Sequence, residues 1–187
     1  MARENELSEE KREEMVVWAM DHHGEEIKRL IYTYVRNYAV VDDLSQEVFV
    51  KVYKNLHVFR GDSEFKTWIY RIAINSCKDY LRSFKHKVQQ LVQPLLASGE
   101  QTEAMVLMSE ERQELASIVM NLPLKYREAI ILHYYRDFSV EEISELLEVN
   151  KNTVKTRLKR GRDKVRDYIM EGSGEYGQES STRKRSL

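Results

Sequence analysis

The 187-residue sequence is poor in cysteine, proline and glycine, with one, two and seven of these residues respectively. Because Cys77 is the only cysteine, an internal disulfide and a zinc site built from several cysteines are both excluded. So few helix breakers over this length favour a mostly helical chain, and no segment shows the alternating pattern of a strand. We therefore expect an all-α fold.

The sequence also lacks a long apolar run and a catalytic set of residues. No stretch of about 18 apolar residues occurs, and residues 1–12 have no apolar signal core. Neither a Ser/His/Asp set, a phosphate-binding glycine loop nor a pair of acid/base carboxylates stands out. Adjacent His22 and His23 would point apart on a helix, which does not suit a shared metal. We expect a cytoplasmic protein that is not an enzyme and has no metal or other cofactor.

The charges are segregated along the chain, although the net charge is only −1. Residues 60–87 carry seven bases and three acids, and residues 151–168 carry eight bases and two acids. Residues 1–50 and 98–148 are acidic. Two basic segments between acidic ones suit local contacts with phosphates, although two solvated helix faces would give the same pattern.

The spacing of apolar residues predicts two groups of helices with an irregular segment between them. The first group, residues 1–87, comprises four predicted helices: 9–20, 25–37, 41–56 and 64–87. Gly24 is expected to separate the first two, and Ser63 is expected to cap the fourth. Residues 88–107 have no clear period and are predicted to be a linker. Residues 108–170 form the second group, and the glycine- and serine-containing residues 171–187 are predicted to be a disordered tail.

Residues 139–167 have the pattern of a helix-turn-helix. Ser139 and Glu142 form a capping box at the start of a short helix, and Asn150 can cap a second, basic helix. In such a motif the second helix enters the major groove of DNA. The outward face of this helix carries four candidate base contacts: Lys155, Thr156, Lys159 and Arg160.

Three other cations of the same helix are better placed to contact phosphates: Arg157, Arg162 and Lys164. An ordinary helical hairpin with a basic solvent-facing side is the alternative interpretation of this segment. Glu148 fits the turn less well than glycine or asparagine would, because a left-handed backbone there costs those residues less.

Aromatic and basic residues alternate in the predicted helix 64–87. This mixture suits single-stranded nucleic acid, since bases stack on rings, at about 1–3 kcal/mol each, while cations follow the backbone. The same aromatic residues, such as Phe65 and Trp68, also lie at core spacing, and periodicity alone favours the core.

Several segments, taken together, resemble sigma factors of the extracytoplasmic-function (ECF) type, which are bacterial RNA polymerase specificity subunits. Residues 42–49 (DDLSQEVF) and 59–75 (FRGDSEFKTWIYRIAIN) are similar to their region 2. Residues 122–129 (LPLKYREA) and 152–162 (NTVKTRLKRGR) are similar to their region 4. The resemblance spans about 10–170 and implies two small helical domains, a four-helix region 2 and a helix-turn-helix region 4, joined by a linker.

The resemblance implies three sets of binding residues. The set for the clamp helices of the polymerase β′ subunit is Asp43, Leu44, Gln46, Glu47, Val48 and Phe49. The set for the separated strand of the −10 element is Phe59, Arg60, Gly61, Asp62, Ser63, Arg71, Asn75, Lys78 and Arg82. The set for the −35 duplex is Asn152, Thr153, Lys155, Thr156, Arg157, Lys159 and Arg160.

The implied partners are core RNA polymerase, through its β′ and β subunits, and promoter DNA, double-stranded at −35 and single-stranded at −10. An anti-sigma factor, in this family often anchored in a membrane, is a further expected partner, and no small-molecule substrate is expected. The alternative is a stand-alone helix-turn-helix repressor. It would bind duplex DNA as a dimer through residues 139–167 and dimerise through its first half.

Overall fold

The computed structural model describes residues 8–59, 64–91 and 110–182, with side chains over 8–59, 64–83 and 112–170. The described residues contain seven α-helices, one short 3-10 turn and no strand, which confirms the all-α prediction. The helices are α1 (Glu9–Val35), α2 (Tyr38–Asn55), α3 (Phe65–Leu91), α4 (Glu110–Asn121), α5 (Leu124–Tyr134), α6 (Val140–Leu147) and α7 (Lys151–Thr182), and the 3-10 turn is Leu56–Val58. The chain divides into two compact units, Met1–Gly99 and Glu100–Leu187.

In the first unit, α1, α2 and α3 pack against one another around an apolar core. The predicted stripe of α2 and the turn after it is buried: Leu44, Val48, Val52 and Leu56 are each no more than 5% exposed. α3 contributes Ile69, Ala73, Ile74 and Cys77, all fully buried. Burial of one large aliphatic side chain stabilises the fold by about 1.5–3 kcal/mol, so this core holds the three helices together.

The prediction that Gly24 separates two helices was wrong, since α1 passes through it without a break. One glycine within a helix costs only about 1 kcal/mol, which the fully buried Ala19 and Ile27 on either side offset. The helix ends instead at Arg36, whose φ of 55° is left-handed and whose amide donates to the Tyr32 carbonyl. Asn37 then caps α2 by accepting a hydrogen bond from the amide of Val40. The described part of this unit therefore has three α-helices, not the four expected.

The end of α3 differs from the predicted domain boundary. The helix continues to Leu91, four residues into the segment 88–107 that was predicted to be a linker. Residues 92–107 of that segment, and the predicted capping residue Ser63, lie outside the described residues.

The second unit has α5 in its interior, packed against α4, α6 and α7. Ala129 and Leu132 of α5 are fully buried. α7 approaches α5 most closely at Gly161, where an added Cβ would lie 2.8 Å from Cγ1 of Ile130. The absence of a side chain at this position therefore sets how closely the second helix of the motif packs on α5.

The local helix signals of the motif are confirmed. Ser139 Oγ accepts from the amide of Glu142 at 3.2 Å, and the Glu142 carboxylate accepts from the amide of Ser139 at 2.8 Å. Asn150 Oδ1 accepts from the amide of Thr153 at 2.8 Å and so caps α7. Glu148, the residue that fits the turn poorly, has a φ of 57°, a conformation that costs a non-glycine residue about 1–2 kcal/mol.

α7 continues to Thr182, past residue 171 at which the predicted disordered tail begins. Glycines 172, 174 and 177 lower helix stability by about 1 kcal/mol each but do not forbid a helix, and no proline follows Pro123. Residues 183–187 lie outside the described part. Among the described helices, none combines the length and apolar character needed to cross a membrane.

Candidate nucleic-acid and polymerase-binding surfaces

The exposed face of α7 carries most of the residues predicted to contact the −35 duplex. Val154, Leu158 and Gly161 are buried at positions i, i+4 and i+7, so they form one stripe against the rest of the unit. Five residues outside this stripe are exposed to solvent: Asn152, Lys155, Thr156, Lys159 and Arg160. Thr153 is half-buried, beside the cap of the helix. The first turns of α7 thus present a basic, polar face of the kind that can enter a major groove.

Arg157 has a different environment from the other members of its predicted set. Its guanidinium donates to Oε1 of Glu128 at 2.8 Å, and the two side chains are 21% and 8% exposed. This ion pair joins the second helix of the motif to α5. This pair was not predicted from the sequence, because the partners are 29 positions apart and a carboxylate on an interior helix has no local signature.

Two further arginines of this unit also bind within the protein. The guanidinium of Arg127 donates to the carbonyls of Met120 and Leu122, at the end of α4 and just beyond it. Carbonyls at the end of a helix have no N–H donor from a following turn, so Arg127 supplies one. Arg162, predicted to contact phosphate, donates to the hydroxyl of Tyr134 at 2.8 Å. Cations counted as DNA contacts from sequence therefore include some that stabilise the unit.

Four residues predicted to contact the −10 strand lie along one face of α3. Arg71, Asn75, Lys78 and Arg82 are spaced i, i+4, i+7 and i+11, which places them in one row. Asn75 and Arg82 are exposed, Arg71 and Lys78 are half-buried, and Arg82 pairs with Asp79 at 3.2 Å. We call these four residues the α3 row. Of the remaining predicted members, Arg60, Gly61, Asp62 and Ser63 lie outside the described residues.

An aromatic cluster lies where the chain leaves the 3-10 turn and enters α3. The ring of Phe59 is 5.2 Å from Phe65 and 5.1 Å from Trp68, centroid to centroid. Trp18 of α1 extends the cluster, 6.1 Å from Phe65, and is 47% exposed. Phe59, Phe65 and Trp68 are half-buried, so they are neither interior residues nor free rings. Sequence reasoning missed Trp18, because its place in the cluster depends on how α1 packs on α3.

The predicted polymerase-binding set on α2 divides into two halves. Asp43, Gln46 and Glu47 are exposed, whereas Leu44, Val48 and Phe49 are buried in the core. Glu47 also pairs with Lys51 at 2.6 Å. Only the exposed half can touch a partner directly in this conformation.

Among the described side chains, the pKa values of three are shifted, each for a visible reason. Burial raises the pKa of the Cys77 thiol to about 12, so this cysteine is protonated and unreactive, as expected for a small buried apolar group. A hydrogen bond from Lys151 lowers the pKa of Glu141, and their 3.0 Å pair links α6 to α7. A hydrogen bond from Arg160 lowers the pKa of Tyr126. Over the described residues, no group of three or more histidine, cysteine, aspartate or glutamate side chains could hold a metal.

Comparison with known protein families gives two matches on this chain. The model of Sigma-70 region 2 matches residues 19–86, and that of Sigma-70 region 4 matches residues 112–165. The two matches follow each other in the order expected from the sequence, one in each compact unit.

Curated relatives extend over both units. The ECF RNA polymerase sigma factor SigW of Bacillus subtilis is 31% identical over 161 residues, which cover 80% of this chain and 86% of that protein. The ECF RNA polymerase sigma-E factor of Escherichia coli is 34% identical over 140 residues, which cover 69% of this chain and 73% of that protein.

Two solved structures share the fold. The sigma factor RpoE from Bartonella quintana, solved with the anti-sigma factor NepR, matches with a TM-score of 0.73 at 20% identity, over 84% of this chain and 96% of that one. CnrH, solved with the cytosolic domain of CnrY, matches with a TM-score of 0.61 at 22% identity, over 85% of this chain and 90% of that one.

Proposed function

The chain belongs to the ECF family of RNA polymerase sigma factors, and from this premise we propose which of its surfaces performs each part of that work. As a sigma factor it directs core RNA polymerase to specific promoters and promotes initiation, and the family is a non-catalytic one. We assign residues 1–87 to region 2, 88–107 to the linker and 108–170 to region 4. The family matches over 19–86 and 112–165 support this division.

Region 4 reads the −35 duplex with the exposed face of α7. Lys155, Thr156, Lys159 and Arg160 face the base edges, where a bidentate cation contact discriminates by about 1–3 kcal/mol per base pair. Asn152 and Thr153 are at the start of the helix, where amide groups and the helix dipole favour phosphate. Arg157 supports this face from behind through its bond to Glu128, in a role different from the phosphate contact predicted from sequence.

Region 2 holds the separated −10 strand along the α3 row. The exposed amide of Asn75 can read a base edge, while Arg71, Lys78 and Arg82 attract the phosphates that flank it. The aromatic cluster holds Phe59, the last described residue before the 60–63 segment, and a capturing role is proposed for that segment from the family motif. Selective binding of the unpaired strand shifts the equilibrium towards open DNA without any catalytic residue.

The exposed half of the α2 set contacts the clamp helices of the β′ subunit. Asp43, Gln46 and Glu47 supply an acidic, polar surface, and acidic side chains can pair with basic groups of a partner. Leu44, Val48 and Phe49 act indirectly, because they hold α2 in the core so that its outer face has a fixed shape. The β subunit is proposed as a second contact on family grounds.

An anti-sigma factor, anchored in a membrane, is the proposed regulator. One structural neighbour was solved with an anti-sigma factor and the other with the cytosolic domain of a second protein, which supports such a partner. The proposed place of action is the cytoplasm, where promoter DNA and polymerase are found.

The observation that carries this proposal is the position of Asn75, exposed in the middle of the α3 row. Purified protein and core polymerase should initiate transcription from a subset of promoters in a genomic library. Asn75→Ala should reduce open-complex formation about tenfold, the equivalent of 1.4 kcal/mol, and leave −35 binding unchanged. Asn55→Ala, which alters an exposed asparagine of the same unit outside the row, is the matched control.

The alternative of a stand-alone repressor gives opposite results. Transcription from no promoter, together with tight duplex binding by a dimer in the absence of polymerase, would overturn the proposal. Light scattering on the free protein measures the oligomeric state directly.

A further inference from the structure

A cleft of about 550 Å³ lies between the start of α5 and the first turns of α7. It is lined from one side by Lys125 and Tyr126 and from the other by Asn152, Thr156 and Arg160. Lys125 and Tyr126 precede the helix-turn-helix by more than a dozen residues, and sequence reasoning assigned neither of them a role. The cleft therefore brings a second helix to the proposed DNA-binding face.

The cleft is positively charged. Arg157 contributes to its wall, but that guanidinium is already bonded to Glu128. Lys125 and Arg160 are both exposed, and no carboxylate of the described residues pairs with either. Two such cations that line one cleft from different helices, 35 positions apart in sequence, form a site suited to a phosphate group.

Tyr126 connects these two cations. Arg160 lines the cleft beside it and lowers the pKa of its hydroxyl, and the ammonium of Lys125 lies 5.0 Å from the centre of its ring. The residue as a whole is only 8% exposed, so its ring is fixed by packing and cannot follow Arg160 into solvent. A fixed ring beside a long, flexible arginine limits the conformations of that side chain before any ligand arrives, which lowers the entropy cost of binding.

We propose that Lys125 and Arg160 bind a backbone phosphate of duplex DNA in this cleft, with Tyr126 as a positioning residue for Arg160. This inference rests on the proposed −35 role of α7 and extends the contact surface to α5. The start of α7 adds a favourable electrostatic field, because the positive end of its helix dipole lies at the same edge. A phosphate contact fixes the register of the protein on the duplex and carries no base information.

The salt dependence of DNA binding tests the role of Lys125. The full chain is titrated with a short random-sequence duplex at several salt concentrations, and the affinity is measured by fluorescence anisotropy. Each phosphate neutralised contributes about 0.9 to the slope of log K against log salt. Lys125→Gln leaves Arg160 on the same phosphate and should reduce the slope by a part of that amount, whereas Lys125→Gln combined with Arg160→Gln should reduce it by about 0.9. Arg112→Gln, on an exposed part of α4 away from the cleft, should leave the slope unchanged.

Tyr126→Phe tests positioning separately from contact. The variant keeps both cations, so the slope should stay the same while the affinity falls about three- to tenfold. The same substitution in an Arg160→Gln background should produce no further loss, since the residue acts through Arg160. A general packing defect would lower the affinity in both backgrounds, and circular dichroism checks that the variants are folded.

An unchanged slope and affinity for Lys125→Gln would overturn the inference, as would an equal loss from Tyr126→Phe in both backgrounds. A transcription assay with core polymerase tests the proposed function independently of the salt slope. If the unsubstituted protein initiates transcription but Lys125→Gln leaves the salt slope unchanged, the proposed function stands and the phosphate site is ruled out. If Lys125→Gln changes the slope but the unsubstituted protein initiates no transcription, the phosphate site stands and the proposed function is ruled out.

Discussion

The two units separate surface from core in different ways. In α7 the buried residues of the motif form a single stripe, Val154, Leu158 and Gly161, and the proposed DNA contacts occupy the remaining face. In α2 half of the proposed polymerase-binding set is interior, because this helix packs against both α1 and α3. A family motif on a helix buried on two sides therefore contains residues that shape a surface as well as residues that touch the partner.

The largest expected effect distinguishes the buried members of the α2 set, which stabilise the unit, from the exposed members, which contact polymerase. Leu44→Ala should lower the free energy of unfolding of the first unit by about 2–5 kcal/mol and weaken polymerase binding through loss of folded protein. Both tryptophans, Trp18 and Trp68, lie in this unit, so fluorescence during urea unfolding reports on it alone. Glu47→Gln should change the free energy of unfolding by no more than about 0.5 kcal/mol and still weaken polymerase binding. A Leu44→Ala protein of normal stability that fails to bind polymerase would contradict this division.

The second effect tests whether Arg157 belongs to the core of its unit. Glu128→Gln removes a charged partner at a largely buried position and should destabilise the second unit by about 1.5–3 kcal/mol, measured by thermal circular dichroism. Arg157→Gln should cost a similar amount and leave the salt slope of DNA binding unchanged. A reduced slope with unchanged stability would instead make Arg157 the phosphate contact that the sequence predicted.

The third effect concerns the local signal that starts the helix-turn-helix. Ser139→Ala removes the hydroxyl that accepts from the Glu142 amide and should cost about 1 kcal/mol. Ser117→Ala, at an exposed position within α4, is the matched control and should be neutral or slightly stabilising, because alanine is the better helix former. Equal melting shifts in the two variants would mean that the capping box contributes nothing specific.

The smallest effect is pH-dependent and concerns Glu141. Its pKa in the folded protein lies below the ordinary value of 4.5, so the carboxylate stabilises the fold above that value. This contribution disappears as the pH falls from about 4.5 through the lowered pKa, and Glu141→Gln should lack it at every pH. The difference in melting temperature between the two proteins should therefore shrink in acid, and a constant difference would contradict the pairing with Lys151.

The sequence by itself determined the features that depend on neighbours within a few residues. The caps at Ser139 and Asn150 and the buried stripe from Leu44 to Leu56 were correct, since helix caps and helical periodicity are local properties. The family motifs identified from the sequence were also correct. The prediction of a helix break at Gly24 was wrong, because the glycine itself does not reveal the tertiary packing that offsets its low helix propensity.

Only the tertiary structure decided which charged and aromatic side chains face solvent and which face each other. The bond from Arg157 to Glu128, the cleft that Lys125 and Arg160 line together and the ring of Trp18 beside Phe65 all involve two different helices. An arginine looks the same in a sequence whether it contacts DNA or a buried carboxylate. The difference depends on which helix packs opposite it, and that is fixed by the summed burial of the whole core.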